Sequence, residues 1–290
     1  MTDLALLELE RKKINAKLTR MRILIASISL FAGGVLYNLT SDISQSVLVC
    51  VVCFFGLLGF FKNMLTEDFT KKFKQQVIQK IVENLGLNYS RTEFVHMGHF
   101  EVLYDTSDID KYTGNDLIFG HVDGVNIKFS DVRASKIIET KNGKRQSVQF
   151  LGVVFVADFH KKLSSVTQIR HKDFSTKFKR YGHKAHMDDV EFEEIFDVYT
   201  TDQIGARYAL TPYLMQQFKY LERRFNCPMN VVLIADKIYM AIDMDKDSFE
   251  PDMSQMLVGK SKAIAGYENE IKSFISIVRD LNLNRKIWMS

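Results

Sequence analysis

The sequence predicts an α+β protein: an N-terminal transmembrane helical hairpin, then a cytoplasmic domain of antiparallel sheet with flanking helices. Three observations predict it. Two uncharged stretches of 19 residues, Ile23–Ser41 and Ile43–Phe61, stand back to back with only Asp42 between them. Further on, apolar runs turn back on themselves at Asp123-Gly124, Asn142-Gly143 and Asp236-Lys237. Helical apolar stripes stand before and after these runs, the order expected of an α+β chain.

The hairpin follows from length and charge. At about 1.5 Å per residue, each uncharged stretch spans roughly 28 Å, close to the hydrocarbon core of a bilayer. A cleavable signal peptide fits poorly, because the first stretch starts 22 residues in and is followed at once by a second. A buried soluble hairpin is the other reading, but Leu, Val and Phe crowd every face of Val47–Phe61. The polar run Asn38–Ser46 supplies the turn. Arg11, Lys12, Lys13, Lys17, Arg20 and Arg22 precede the first stretch, and Lys62, Lys71, Lys72 and Lys74 follow the second. The turn carries no Lys or Arg, so both ends are expected in the cytoplasm. Residues 1–22 form a basic helix that lies along the membrane surface or pairs with a neighbour.

Composition excludes several classes. From Asn63 to Ser290 there are 32 Lys/Arg against 31 Asp/Glu, so this part is nearly neutral and its charge offers no argument for nucleic-acid binding. Cys50-x-x-Cys53 lies inside the second apolar stretch and reads as small lipid-facing residues rather than a redox or zinc pair. Cys227 stands alone, which implies no disulfide framework.

The elements follow in order. Residues 62–86 read as an amphipathic linker helix capped by Thr66, with Phe69, Phe73, Val77, Ile81 and Leu85 on one face and Gly86 ending it. Residues 87–290 form the cytoplasmic domain. Leu117–Val122 pairs with Val125–Phe129, Ser135–Lys141 with Lys144–Gln149, and Val231–Ala235 with Ile238–Ile242. Gln149–Phe159 and Phe192–Thr200 read as further strands. Thr211-Pro212 opens a helix striped with Leu214, Phe218, Leu221 and Phe225, and a last helix runs from about Gly266 to Leu281. Between His160 and Asp189 the sequence has little periodicity and reads as a long loop. It carries Arg170, Lys172, Lys177, Lys179, Arg180 and Lys184, followed at once by Asp188, Asp189, Glu191, Glu193 and Glu194. These six cations are the candidate interaction loop. It faces anionic lipid, pairs internally with the acidic run, or meets a protein partner.

Several runs resemble a bacterial family known as domain of unknown function 3137. They are Tyr112-Thr113-Gly114-Asn115-Asp116 with Gly120, Phe129-Ser130-Asp131-Val132, and Phe150-Leu151-Gly152-Val153-Val154-Phe155 leading to Ala157-Asp158-Phe159. The longest begins at Phe196-Asp197-Val198-Tyr199 and continues from Asp202 through Arg207, Tyr208 and Thr211 to Pro212; Leu281-Asn282-Leu283 completes the set. The resemblance spans roughly residues 65–285. It implies a protein of the bacterial cytoplasmic (inner) membrane with a cytoplasmic domain, and it implies no activity. Gly205 departs from the family, where Glu is expected.

No catalytic residue, cofactor or metal is assigned. His183-x-x-His186, with His160 and His171 nearby, reads as part of a solvated loop rather than a zinc site. Asp202 and Arg207 read either as a ligand-binding pair or as a helix cap and its neighbour, the structural role being preferred. Asp243, Asp245 and Asp247 alternate like a calcium loop but lack its glycine and terminal glutamate, so they read as an exposed turn. The expected function is a membrane-anchored binding or scaffolding module. A membrane-bound hydrolase with a dispersed site is the alternative. The expected partners are membrane lipid through the hairpin and another protein or a second copy, with no nucleic acid.

Overall fold

The computed structural model describes residues 3–140, 143–159, 162–174, 179–258 and 263–283; Asn142, His160, Lys177 and Trp288 lie outside the described residues. The chain divides into two compact units, Met1–Ile78 with Glu250–Tyr267, and Gln79–Phe249 with Glu268–Ser290.

In the first unit, α1 (Asp3–Thr40) and α2 (Ile43–Phe73) pack against each other. Both α1 and the helix beginning at Ile43 are long and apolar enough to cross a membrane. The turn is tighter than the sequence suggests. Only Ser41, in the left-handed region at φ 53°, and Asp42 lie outside the helices. The Asp42 carboxylate caps α2 by accepting the N–H groups of Ser44 and Gln45 at 2.9 and 3.2 Å. The expected helix start at Thr66 does not occur. Phe61–Phe69 holds no Pro or Gly to break the helix, and the Thr66 hydroxyl donates to the carbonyl of Lys62 at 2.9 Å. Along α1, Leu18, Ile25, Ser29 and Gly33 are buried. A Cβ on Gly33 would stand 3.1 Å from the Ser46 carbonyl and 3.2 Å from the Cys50 Cβ, so a missing side chain lets the helices approach.

The polar end of α1 is tied to the segment before α8 (Ala263–Asp280). Arg11 pairs with Glu8 through two hydrogen bonds, at 2.7 and 3.0 Å, and both residues are buried. Arg11 and Asn15 each donate to the Met253 carbonyl at 2.7 Å, and Leu257 N–H donates to Glu8 at 2.9 Å. The Arg11 hydrogen bond outweighs burial and holds the Glu8 carboxyl below its usual value. A buried ion pair is tolerated when its remaining hydrogen-bonding capacity is also used, as it is here.

The second unit opens with α3 (Gln79–Asn84), which stops before Gly86 at φ 76°. Among the described residues nine strands form one antiparallel sheet: β1 (Asn88–Ser90), β2 (Lys111–Val122), β3 (Val125–Thr140), β4 (Gly143–Asp158), β5 (Thr167–His171), β6 (His183–Ala185), β7 (Phe196–Thr200), β8 (Met229–Ile234) and β9 (Lys237–Asp243). Their order is β1-β2-β3-β4-β9-β8-β5-β7-β6. Short helices α4 (Met97–Phe100), α5 (Val190–Ile195) and α6 (Gln203–Ala209) and the longer α7 (Pro212–Phe225) complete the unit. Thr211 caps α7 with Pro at its first turn, as the sequence predicts.

The sheet is covered on both faces. On one side Phe129 meets both Phe155 of the neighbouring strand and Phe274 of α8. Phe150, Val154 and Val156 meet Phe100 and Tyr104 on the other. Burial on both faces removes the alternation that usually marks a strand. It also explains the merging of runs read separately into the 16-residue strands β3 and β4. A register shift opposite Ala134–Ser135 changes the side-chain phase partway along.

Two further expectations need correction. The stretch between His160 and Asp189 is not one loop: it contains β5, in the interior of the sheet, and β6, at its edge. The sequence Thr-Gln-Ile-Arg-His looks too polar for an inner strand, but the Gln168 side-chain N–H donates to Oδ1 of Asn230 on β8 at 3.0 Å. Phe192–Thr200 is likewise not all strand, because Asp189 caps α5 by accepting the Phe192 N–H at 3.0 Å.

Candidate functional site

Three aspartates from distant segments converge in the second unit. A bulge between Asn115 and Ile118 interrupts β2. It throws Asp116 into the left-handed region at φ 58° and turns it inward, fully buried. The Asp116 N–H donates to the Arg91 carbonyl at 3.2 Å, and its carboxylate accepts the Tyr89 hydroxyl. Asp131 lies across from Asn115 on β3 and is 2% exposed. Asp247 is exposed in the loop after β9. One carboxylate oxygen from each lies within 4.8 Å of the other two.

The cavity beside them has a volume of about 310 Å³ and is walled by Thr113, Gly114, Asn115 and Leu151, with Arg133 also on its lining. Gly114 is required by crowding: a Cβ there would stand 2.3 Å from the Asp131 carbonyl oxygen and 2.7 Å from the Phe94 Cβ. Burial pushes the Asp131 carboxyl well above its ordinary value, and the charges of Asp247 and Asp116 push it further. The Ser248 N–H, donating to Oδ2 at 3.1 Å, acts the other way. Oδ1 is buried and accepts no hydrogen bond.

The first unit has its own cavity of about 670 Å³. Arg22 and Lys62, which flank the two apolar stretches, line it with Asn15, Thr19 and Asn63. Glu250 and Asp252 also line it, but Glu250 is taken by Lys74, and Asp252 accepts from Ser254 and Gln255.

The six cations of the basic segment are spread over strand and coil. Arg170 on β5 is the register partner of Asp197 on β7 and pairs with it at 3.2 Å, while Lys184 on β6 reaches the same carboxylate at 2.8 Å. Lys172 donates to the Glu193 carbonyl. Lys179 lies 5.6 Å from the Tyr181 ring centre, and Arg180 lies 5.7 Å from that of Tyr199. Lys177 lies outside the described residues.

Asp202 caps α6 by accepting the Ile204 N–H at 3.0 Å. Arg207 on that helix reaches the His186 carbonyl at 3.5 Å, Tyr208 is exposed, and Pro212 opens α7. The histidines are dispersed: His183 stands opposite Thr200 on β7, His186 is 3.3 Å from Glu193, and His171 is 3.9 Å from Glu222.

Nothing in the local sequence marks Asp116 and Asp131 as site residues. Both stood in the family-like runs, and an Asn-Asp pair inside an otherwise regular strand was the available sign of a bulge. Asp247 reads from its sequence as part of an exposed turn, and the structure brings it beside Asp131.

Residues 148–283 match the family described as "Protein of unknown function (DUF3137)". Asp247 falls inside that range; Asp116 and Asp131 precede it. None of the curated proteins matches. Among solved structures, the crystal structure of the mycobacterial trehalose monomycolate transport factor A, TtfA, is similar at 11% identity and a TM-score of 0.43, covering 72% of this chain and 96% of that one.

Proposed function

We propose that this chain, which carries in residues 148–283 a domain of the family described as protein of unknown function (DUF3137), is a membrane-anchored binding or scaffolding module. In this reading α1 and α2 span the bacterial inner membrane, both termini are cytoplasmic, and the sheet domain holds its ligand or partner at that surface. One observation carries the anchor. Large apolar side chains stand out along both helices, among them Phe31 (74% exposed), Leu39 (77%), Phe55 (65%) and Phe60 (64%). Such a surface is supported by lipid and not by water.

The convergent aspartates would suit a hydrolase too. Yet Asp116 and Asp131 are buried, and Asp247 is the exposed member of the three. That arrangement favours a small bound species over a catalytic pair.

The test is topology of the full chain in bacterial cells. With Cys50, Cys53 and Cys227 replaced by Ser, Ser44→Cys should react with an impermeant maleimide in intact cells. A reporter fused after Ser290 should be active in the cytoplasm. Labelling of position 44 only after lysis would overturn the orientation, and release of the full chain by carbonate washing would overturn the anchor.

A further inference from the structure

We infer that Asp116, Asp131 and Asp247 form a binding site for a hard divalent cation, with calcium the best fit. The inference goes beyond the membrane-anchor reading and stands without it, since every residue involved lies in the second unit.

The geometry makes the first argument. Two oxygens bound to one ion can be no farther apart than twice the metal–oxygen distance. That limit is about 4.6–5.2 Å for calcium and about 4.0–4.2 Å for magnesium. Three oxygens within 4.8 Å of one another stand at most about 2.8 Å from a common centre, so calcium at about 2.3–2.6 Å needs no more than a small inward movement of the side chains. Magnesium or manganese fits if the oxygens draw together. The donors are all carboxylate oxygens, which select hard cations over zinc or copper.

The unsatisfied acceptor makes the second argument, independent of the clustering. Asp131 is almost wholly buried, and its Oδ1 receives no donor from the protein. Buried polar atoms are normally satisfied, and an exception calls for an explanation. Its neighbours are two more carboxylates, which repel it rather than complete it.

The chain's own cations do not do so either. Lys246, next to Asp247, pairs with Glu270 at 3.0 Å. Arg133 lines the cavity, but among the described residues no ion pair joins it to Asp131 or Asp247.

The protein also braces the site as an ion-binding site is braced. The Tyr89 hydroxyl and the Ser248 N–H each hold one carboxylate oxygen, fixing Asp116 and Asp131. The exposed Asp247 and the open cavity leave room for the waters that complete a calcium or magnesium shell.

The test uses the purified full chain in detergent, stripped with chelator and titrated calorimetrically with CaCl₂, MgCl₂ or MnCl₂ alone. Saturable binding near one ion per chain is expected, together with a rise in the thermal midpoint. Asp131→Asn keeps the side-chain shape. Its affinity should fall by at least the roughly 10- to 100-fold seen when even an outer partner of a metal site is lost. In chelator the same variant should melt at or above the wild-type midpoint, because repulsion is removed. Asp247→Asn, at an exposed position, should weaken binding without unfolding the chain. Asp245→Asn, exposed in the same loop, should bind as wild type does. No saturable binding of any of the three ions at millimolar concentration would overturn the site, whatever the midpoints. So would undiminished binding in both Asp131→Asn and Asp247→Asn.

Discussion

The main-chain N–H of Ser248 donates to Oδ2 of Asp131 at 3.1 Å, joining two residues 117 positions apart. The bond draws the loop after β9 over the middle of β3, and Asp247 arrives beside Asp131 as a consequence. The cavity therefore depends on the exact path of β2 and β3 beneath that loop.

Gly114→Ala tests this dependence. The added Cβ would meet the Asp131 carbonyl and the Phe94 Cβ, neither of which is the free end of a flexible side chain. Overpacking of this kind costs about 1–3 kcal/mol. A lower denaturation midpoint is expected by circular dichroism. Gly266→Ala, where a Cβ meets nothing within 4 Å on α8, should instead stabilise by about 0.5–1 kcal/mol. Equal midpoints for wild type and Gly114→Ala would remove the crowding argument.

Gly33 and Gly34 make a matched pair in the hairpin. A side chain at Gly33 meets α2, whereas a Cβ at Gly34 meets nothing within 4 Å. Gly33→Val should push the helices apart and lower the thermal midpoint of the full chain in detergent, by an amount corresponding to about 1–3 kcal/mol. Gly34→Val should stay close to wild type. The reverse ranking would mean that the helices pack on another seam.

What the sequence made legible was what local chemistry encodes. Asp123-Gly124 announced the β2–β3 turn because its residues enter the left-handed region readily, at φ 50° and 82°. Thr211-Pro212 announced α7 for an equally local reason. The inner strand β5 was hidden, because Gln168 and Arg170 look like surface residues until Asn230 and Asp197 are placed beside them. The aspartate site was hidden for the same reason at longer range. Its members are separated by up to 131 positions in the numbering, and a one-residue bulge decides which way Asp116 points.

Asp197 gives a pH dependence with a definite sign. Burial alone would raise its carboxyl, but Lys184 and Arg170 outweigh burial and hold it below the ordinary range. The unfolded chain therefore binds a proton at Asp197 more readily than the folded chain does. Its contribution to stability is present above the unfolded value of about 3.9 and is lost as pH falls toward the lower folded value. Thermal midpoints of wild type and Asp197→Asn should differ most at neutral pH and converge as the pH drops below about 4. A gap that stays constant down to pH 3 would show that Asp197 acts through packing alone.

The cavity of the first unit carries the last prediction, which rests on the membrane-anchor reading. Arg22 stands just before the first apolar stretch and Lys62 just after the second, so both lie at the level where headgroups begin. Among the described residues neither makes an ion pair, while the two acids beside them are already engaged. A cavity with two cations and the polar side chains of Asn15, Thr19 and Asn63 suits the phosphate of an anionic lipid. Each cation near an anionic surface contributes about 1 kcal/mol, so Arg22→Gln with Lys62→Gln should weaken phosphatidylglycerol binding roughly tenfold or more. Native mass spectrometry of the full chain in detergent reads this directly, with phosphatidylcholine as the neutral comparison. Arg20→Gln removes one charge from an exposed position nearby and should leave binding nearly unchanged, which separates the cavity from bulk attraction. Inorganic phosphate should compete if the phosphate group is what the cavity recognises. Equal binding by the double variant and the wild type would show that the lipid contacts lie elsewhere on the helices.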